Sequence, residues 1–459
     1  IPEASGIYLY NIGEGFFITG SVYFSTALLY LGDEVAGCND LDLDDDEECD
    51  LKVWGLLKPT SLATTSAIIV SLCSSLAMPL IGAVIDHTRH RKSVGKYASY
   101  CIIAFNAIAI SICEETFELM MVLFLLGGFC FAIVSCASNA YLPDFKMNHE
   151  EMGRFSASYY TVRFTVMVFC LLFITALSVL FDAGDVGTAR IGQIVVVPAL
   201  LICWVYAWEF LFMGRPKLHD VPEGDSLLST GFRSAIRTAV NIHRYFPDLK
   251  IFIYSLMLYS AAASSLVAVS STYMKDQLDM SSIEIGMVFL VVLLFAVPGS
   301  ILSKHLNSKF NPLNSYRLNI FIWAMTTLIA SGVLQGRHNW SLVYLFAAIW
   351  GVCYGWKYPT DITIYTTIMP HGSESELIGF KALADGVLVW APNLCFTLMN
   401  EAGVEMHYCL ASLVVWFLGA LQVSYLMNPY DKVVAHAAAY NDMHEDEQVI
   451  VETRRQSFN

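Results

Sequence analysis

Twelve runs of about twenty or more predominantly apolar residues recur along the chain, at roughly 7–32, 59–85, 94–113, 117–141, 155–181, 188–213, 249–274, 282–303, 316–335, 341–369, 377–399 and 406–427. A hydrocarbon core about 30 Å thick is crossed by a helix of about 20 such residues, so each run is long enough to span. Only 15% of the 459 residues are charged and the mean hydropathy is +0.54, against about 25% charged in soluble domains. The expected class is an all-α polytopic membrane protein with twelve transmembrane helices. The longest loop between runs, 214–248, follows the sixth and divides the chain into six plus six. The expected units are a bundle over 1–213, a linker over 214–248, a second bundle over 249–427 and a tail over 428–459.

Lys and Arg set the orientation. With the N-terminus in the cytoplasm, the loops 86–96, 142–154, 214–250 and 304–317 plus the tail hold about 18 of the 26 basic residues. The other side holds Lys52, Lys58, Arg190, Lys275 and Arg337. Both ends are therefore expected in the cytoplasm, and Arg163, Lys357 and Lys381 fall inside spans. The net charge of −15 comes largely from the loop at 40–50 and the tail at 441–448, which read as solvated acidic runs and not as a site for basic partners or nucleic acid. The loop lacks the Gly and Glu that an EF-hand needs. The eleven His lie in loops, tails or span edges, and the cysteines show no CxxC or Cys/His cluster, so neither a metal nor another cofactor is expected. Cys38 and Cys49 are expected to form a disulfide, since they share an aqueous loop on the non-cytoplasmic side, where oxidation is permitted; two free thiols are the alternative. The sequence starts at Ile1, so the true N-terminus is expected to lie elsewhere, and the first span is too long for a cleavable signal peptide. Asn339-Trp340-Ser341 is a formal glycosylation acceptor, expected to stay unmodified because its loop is very short.

The linker stretch 227–249 spaces apolar residues helically, with Arg233, Arg237 and Arg244 on the other face. It suits a helix lying on an anionic leaflet or one simply packed on the two bundles. "MPLIGAVIDHTRHRK" (78–92) and "AVPGSILSKHLNSKF" (296–310) hold corresponding places after the second and eighth spans, which suggests duplicated halves. The first of these contains "GAVIDHTRHRK" (82–92), which resembles the loop signature of the major facilitator superfamily; Gly82, Asp86, Arg91 and Lys92 match it. The resemblance implies the 6+6 major facilitator fold and a cytoplasmic gate at those residues. Nearly the whole chain further resembles the eukaryotic vacuole effluxer branch, the autophagy-related vacuolar amino-acid exporters. "YNIGEGFF" (10–17), "SNAYLPDF" (138–145), "FPDLKIFIYSLMLYS" (246–260) and "MPHGSESELIGFKALADG" (369–386) carry this likeness. It implies a transporter, not an enzyme, that exports neutral amino acids from an acidic compartment by alternating access. Three departures leave the substrate open: Ala261 follows Tyr259-Ser260 where the branch usually has Asp, the basic residue of span ten is Lys357, and "SASYYTVRF" (156–164) replaces a Gly-rich face.

A charge at a helix centre costs roughly 2.5–3.5 kcal/mol on insertion scales, so such residues usually face inward. By a rise of about 1.5 Å per residue, Glu14, Arg163, Asp361 and Asp385 lie roughly 10–14 Å from the cytoplasmic edge. Lys357 is one turn deeper, and Lys381 is shallow enough to snorkel. These residues sit on spans 1, 5, 10 and 11. The pairs Lys357/Asp361 and Lys381/Asp385 are each i,i+4, so each could merely neutralise itself. Pro359 between the first pair, with Trp356 and Tyr358 beside it, suggests a segment lining a pathway. A small zwitterion needs a cation for its carboxylate and an anion for its amine. Arg163 or Lys357 could supply the first and Glu14 or Asp361 the second, and any of the acids is a candidate carrier of a coupling proton. A lipid or lysolipid carrier, or a membrane partner or sensor that kept the fold without transporting, are the alternatives. In the tail, "YNDM" (440–443) and "EDEQVI" (445–450) have the form of ligands for sorting adaptors.

Overall fold

The structure, a computed structural model, describes residues 2–37, 51–142, 145, 149–214, 227–369 and 374–436. Cys38, Cys49 and the two tail motifs lie outside the described residues, as does the side chain of Asp86.

The described residues are almost entirely helical. The first half comprises α1 (Pro2–Ala36), α2 (Leu62–His87), α3 (Arg91–Ile108), α4 (Phe117–Asn139), α5 (His149–Leu180) and α6 (Asp185–Leu200). A linker helix follows, α7 (Leu227–Tyr245), and then α8 (Pro247–Asp276), α9 (Ser282–Phe310), α10 (Pro312–Val333), α11 (Val343–Ile368), α12 (Glu374–Val387), α13 (Trp390–Glu401) and α14 (Met406–Ser424). Each half has a buried core of its own. Leu290 and Leu293 of α9 join the core of the first half and so knit the two together. Phe169, Phe173, Ile202, Phe210 and Val415 are all more than half exposed, as apolar side chains facing lipid must be. The end that carries α7, Pro2 and residue 436 is called here the linker face, and its opposite the distal face.

By length and apolarity, nine of the described helices qualify as spans. The other three spans are α10 and α11, which are less apolar, and the α12–α13 pair, whose helices of 14 and 12 residues are each too short to cross alone. The eleventh run does not form the single helix that its hydropathy suggests; it breaks at Leu388 and Val389. Pro392 is the cause, since it has no N–H to give the carbonyl of Leu388 and its ring crowds that carbonyl. The turn tightens instead, with the Ala391 N–H bonding Leu388 O at 3.0 Å. The carbonyl of Val389 is taken up by Asn393 Nδ2 at 3.1 Å and Ser265 Oγ at 3.3 Å. Irregular backbone at membrane depth survives only where protein re-satisfies it in this way.

Small residues set the closest helix crossings. α6 continues into π-helical turns at Leu201–Val205 and Ala207–Leu211, from which two indoles press on glycines of neighbouring helices. A Cβ at Gly13 would lie 2.3 Å from Trp204, and one at Gly95 2.1 Å from Trp208. Trp204 also donates to the Tyr10 carbonyl of α1 at 3.0 Å. α9 and α11 cross so closely that backbone meets backbone: a Cβ at Gly299, Gly351 or Gly355 would stand 2.2, 2.3 or 1.8 Å from a carbonyl oxygen of the other helix. This is the small-xxx-small device of membrane helices. It fixes α11, the helix that carries Lys357 and Asp361.

Candidate functional site

The intramembrane charges come together as ion pairs. Arg163 Nη1 of α5 donates to Glu14 Oε1 of α1 at 2.6 Å. Lys357 Nζ donates to Asp361 Oδ2 at 2.8 Å, one turn along α11. Lys381 Nζ donates to Asp385 Oδ2 at 2.7 Å on α12, while Ser260 of α8 donates to Asp385 Oδ1 at 2.7 Å. Lys357 and Asp361 are 4% and 1% exposed, Glu14 and Arg163 7% and 8%. A buried charge is tolerable only when paired, and each of these is. Two valences are left over: among the described residues, Arg163 Nε and Asp361 Oδ1 are buried and have no hydrogen-bond partner.

Tyrosines connect the pairs across the two halves. The Arg163 guanidinium lies 4.5 Å from the Tyr160 ring centroid, and the Lys357 ammonium 4.9 Å from that of Tyr358. Tyr160 and Tyr358 stack on each other at 5.7 Å, so each cation lies against one ring of an aromatic pair that spans the two halves. Tyr354 hydrogen-bonds Tyr358 at 3.1 Å and meets Phe164 edge-on at 6.0 Å. Lys357 also lies 5.1 Å from the Tyr259 ring, whose hydroxyl receives Asn319 Nδ2 at 3.0 Å. Trp356 points elsewhere, donating to Ser315 Oγ of α10 at 2.9 Å. Tyr160 and Tyr354 carry no motif of their own in the sequence, and Tyr259-Ser260 enter there only as the landmark before Ala261. The signal available was spacing: Tyr160 is three residues before Arg163, and Tyr354 four before Tyr358, so each shares a helix face with a candidate site residue.

With this arrangement in view, the comparisons with known proteins are direct. The sequence profile of the Major Facilitator Superfamily matches residues 12–389. The chain belongs to the major facilitator superfamily. Membership places it among membrane transporters and not enzymes. Solved structures of the same fold include a D-xylose-proton symporter (12% identity, TM-score 0.61, 93% of this chain and 99% of that one). They also include the xylose transporter XylE from E. coli in an inward-open conformation (11%, 0.60, 94% and 99%) and the nucleoside transporter NupG (11%, 0.57, 91% and 100%). At such identities the likeness is one of fold. No curated protein matches the sequence.

In this major facilitator chain the loop motif ties helices of the first half. Arg91 donates to the Ala140 carbonyl at the end of α4 at 3.1 Å and lies 5.4 Å from the Tyr141 ring. Lys92 donates to the Glu209 carbonyl at 3.0 Å. A Cβ on Gly82 would meet nothing within 4 Å, so no helix presses on it in this state.

Among the described residues, the polar bonds joining the halves concentrate at the distal face. Asn400 donates to Thr60 at 2.6 Å and to Ser61 at 2.8 Å. Thr64 and Thr397 share a hydrogen bond at 2.7 Å. Ser282 N–H meets Asp185 Oδ1 at 2.8 Å, and Lys275 pairs with Asp33. Glu401 receives the Lys58 N–H at 2.7 Å and faces the Lys52 ammonium at 3.2 Å. The transporter is thus closed at its distal face. Burial alone would raise the Glu401 carboxyl, but the Lys58 N–H, Ser61 and Lys52 together hold it below the usual range. A depressed acid stabilises the closed state above its ordinary pKa, and the contribution is lost only as pH falls through the lowered value. Distal closure through Glu401 therefore persists in mild acid. Glu401→Gln is expected to shift the balance toward distal-open forms by about tenfold, the lower end for a hydrogen bond to a charge. Inter-half distances from paired spin labels would check this; an unchanged distribution contradicts it.

A cavity of about 350 Å³ lies between α1, α2, α4 and α8, in the distal half of the bundle. Phe17, Phe131, Val267 and Phe289 line it, with Asn106 and Gln193 among its few polar groups. Gln193 Oε1 is buried and unpartnered. None of the paired charges lines this cavity; Phe17 reaches it from one turn beyond Glu14.

Proposed function

We propose that this chain is a secondary transporter that exports neutral amino acids or similar small zwitterions from a vacuole- or lysosome-like compartment by alternating access. One observation carries the reading. Arg163 Nε and Asp361 Oδ1, a donor atom and an acceptor atom with no hydrogen-bond partner among the described residues, belong to two ion pairs whose cations lie against the stacked rings of Tyr160 and Tyr358. A zwitterion entering as those rings part could give its carboxylate to the first and its ammonium to the second. The largely apolar cavity beyond Phe17 suits an uncharged side chain. The linker face is taken as cytoplasmic, since Arg89, Lys304 and Lys309 lie there on a loop or helix end and Arg233, Arg237 and Arg244 lie there on α7. The compartment follows the vacuole effluxer resemblance. Glu14, Asp361 and Asp385 are the candidate carriers of a coupling proton.

The test is uptake of a labelled amino-acid panel by purified protein in liposomes, with and without a proton gradient. Uptake of one or more neutral amino acids that rises with the gradient is expected. The same apolar cavity favours one other reading, a lysolipid carrier. Lysophospholipid movement with no amino-acid uptake would replace the first reading by the second.

A further inference from the structure

The linker helix has three longitudinal faces, and their order points to what it touches. At 100° per residue, Ala235, Thr238 and Ile242 fall on one side; Thr238 and Ile242 are buried, and this side packs on α2 and α8. Turning about a third of the way round brings Phe232, Ile236 and Val240, spaced i, i+4, i+8, which are 37%, 62% and 42% exposed, with exposed His243 between them. A further step brings Arg233, Arg237 and Arg244, also exposed. No Asp or Glu occurs between Leu227 and Tyr245. A helix merely packed on the bundle would show water a polar back; here the strip beside the packed face is apolar and bulky. A helix beside a membrane bundle meets protein on one flank, acyl chains below and headgroups at the edge between. The three strips fall in that order.

We infer that α7 is an interfacial anchor: Phe232, Ile236 and Val240 dip among lipid chains beside the bundle, and Arg237 and Arg244 bind anionic lipid headgroups. The occupant is the protein's own bilayer. The chemistry is that of a basic amphipathic helix, and attraction to an anionic surface supplies about a fivefold gain per arginine, weakened by salt. Because α7 packs on α2 and α12 as well as α8, it touches both halves, so its seating on lipid would bias their relative position.

The experiment uses the full chain with an environment-sensitive fluorescent amino acid at Ile236. The protein is placed in phosphatidylcholine nanodiscs containing brominated lipid as quencher, with or without phosphatidylserine. Quenching should be several-fold stronger with phosphatidylserine. Arg237→Gln with Arg244→Gln should remove that difference, and high salt should diminish it, while the far-ultraviolet helicity stays the same. Equal quenching in the two lipid compositions overturns the inference. So does a phosphatidylserine effect that survives the double substitution, because the arginines would then not be the headgroup ligands. Direct binding of phosphatidylserine to the rest of the protein does not mimic the signal, which is read only at Ile236.

Discussion

Lys357→Met is expected to leave little folded protein, while Lys357→Met combined with Asp361→Asn folds and inserts. The single change strands Asp361, 1% exposed, beside a methionine, with one oxygen that already lacks a partner and another that has lost its 2.8 Å donor. Removing one partner of a buried pair costs about 3–5 kcal/mol, whereas removing both charges together is often near neutral. Thermal unfolding in detergent separates the two proteins. If the single variant is as stable as the parent, the pair does not hold Asp361 in place. The double variant then reports function. Under the proposed zwitterion reading it reaches the membrane and fails to transport, with substrate binding weakened by about 1.5–3 kcal/mol, the range for a hydrogen bond to a charge. Full transport, normalised to folded protein, would leave the pair as neutralisation for insertion and shift the substrate contacts to Arg163 and Glu14.

Gly355→Leu should also be strongly damaging, with no charge involved. A Cβ there would lie 1.8 Å from the Ala296 carbonyl oxygen and 2.6 Å from its carbon. Backbone cannot step aside as a side chain can, so α9 and α11 must separate along the crossing that Gly299 and Gly351 share. Overpacking in a close-packed interior costs about 1–3 kcal/mol, occasionally more, and a clash with backbone belongs at the upper end. Gly332→Ala on α10 is the control: a Cβ there meets nothing within 4 Å, and replacing a helical glycine by alanine gains about 0.5–1 kcal/mol. The measurement is folded yield and melting temperature by size-exclusion chromatography after heating. Equal melting of Gly355→Leu and Gly332→Ala would mean that α9 and α11 do not cross this closely.

The two predictions differ in how far the sequence anticipates them. Lys357 and Asp361 are four residues apart on one helix, so their pairing follows from helical geometry, as does that of Lys381 with Asp385. Arg163 is different. Its partner Glu14 is 149 residues away, and no periodicity relates them. The glycines of α11 are visible as a GxxxG spacing, yet nothing in that spacing says that α9 is the helix they meet. Pro392 is equally visible, but hydropathy does not respond to a missing N–H, so the eleventh span looks continuous until its hydrogen bonds are traced. The stack of Tyr160 on Tyr358 joins residues of the two halves that no local pattern relates.

What the sequence determined by itself is therefore what costs energy locally. Whether a stretch enters lipid depends on the transfer free energy of its own side chains, summed over about twenty residues, and that sum is fixed before any helix finds a neighbour. The number of spans, the six-plus-six division and the presence of charges needing partners all follow from it. Only the tertiary structure decided which partners they find: Glu14 for Arg163, Tyr160 for Tyr358, Glu401 for the distal end of the first half. Helices in a bilayer gain no hydrophobic preference for one another and are sorted by close packing and interhelical hydrogen bonds. These terms depend on distances of a few ångströms between residues far apart in the chain, and such distances exist only once the bundle has assembled.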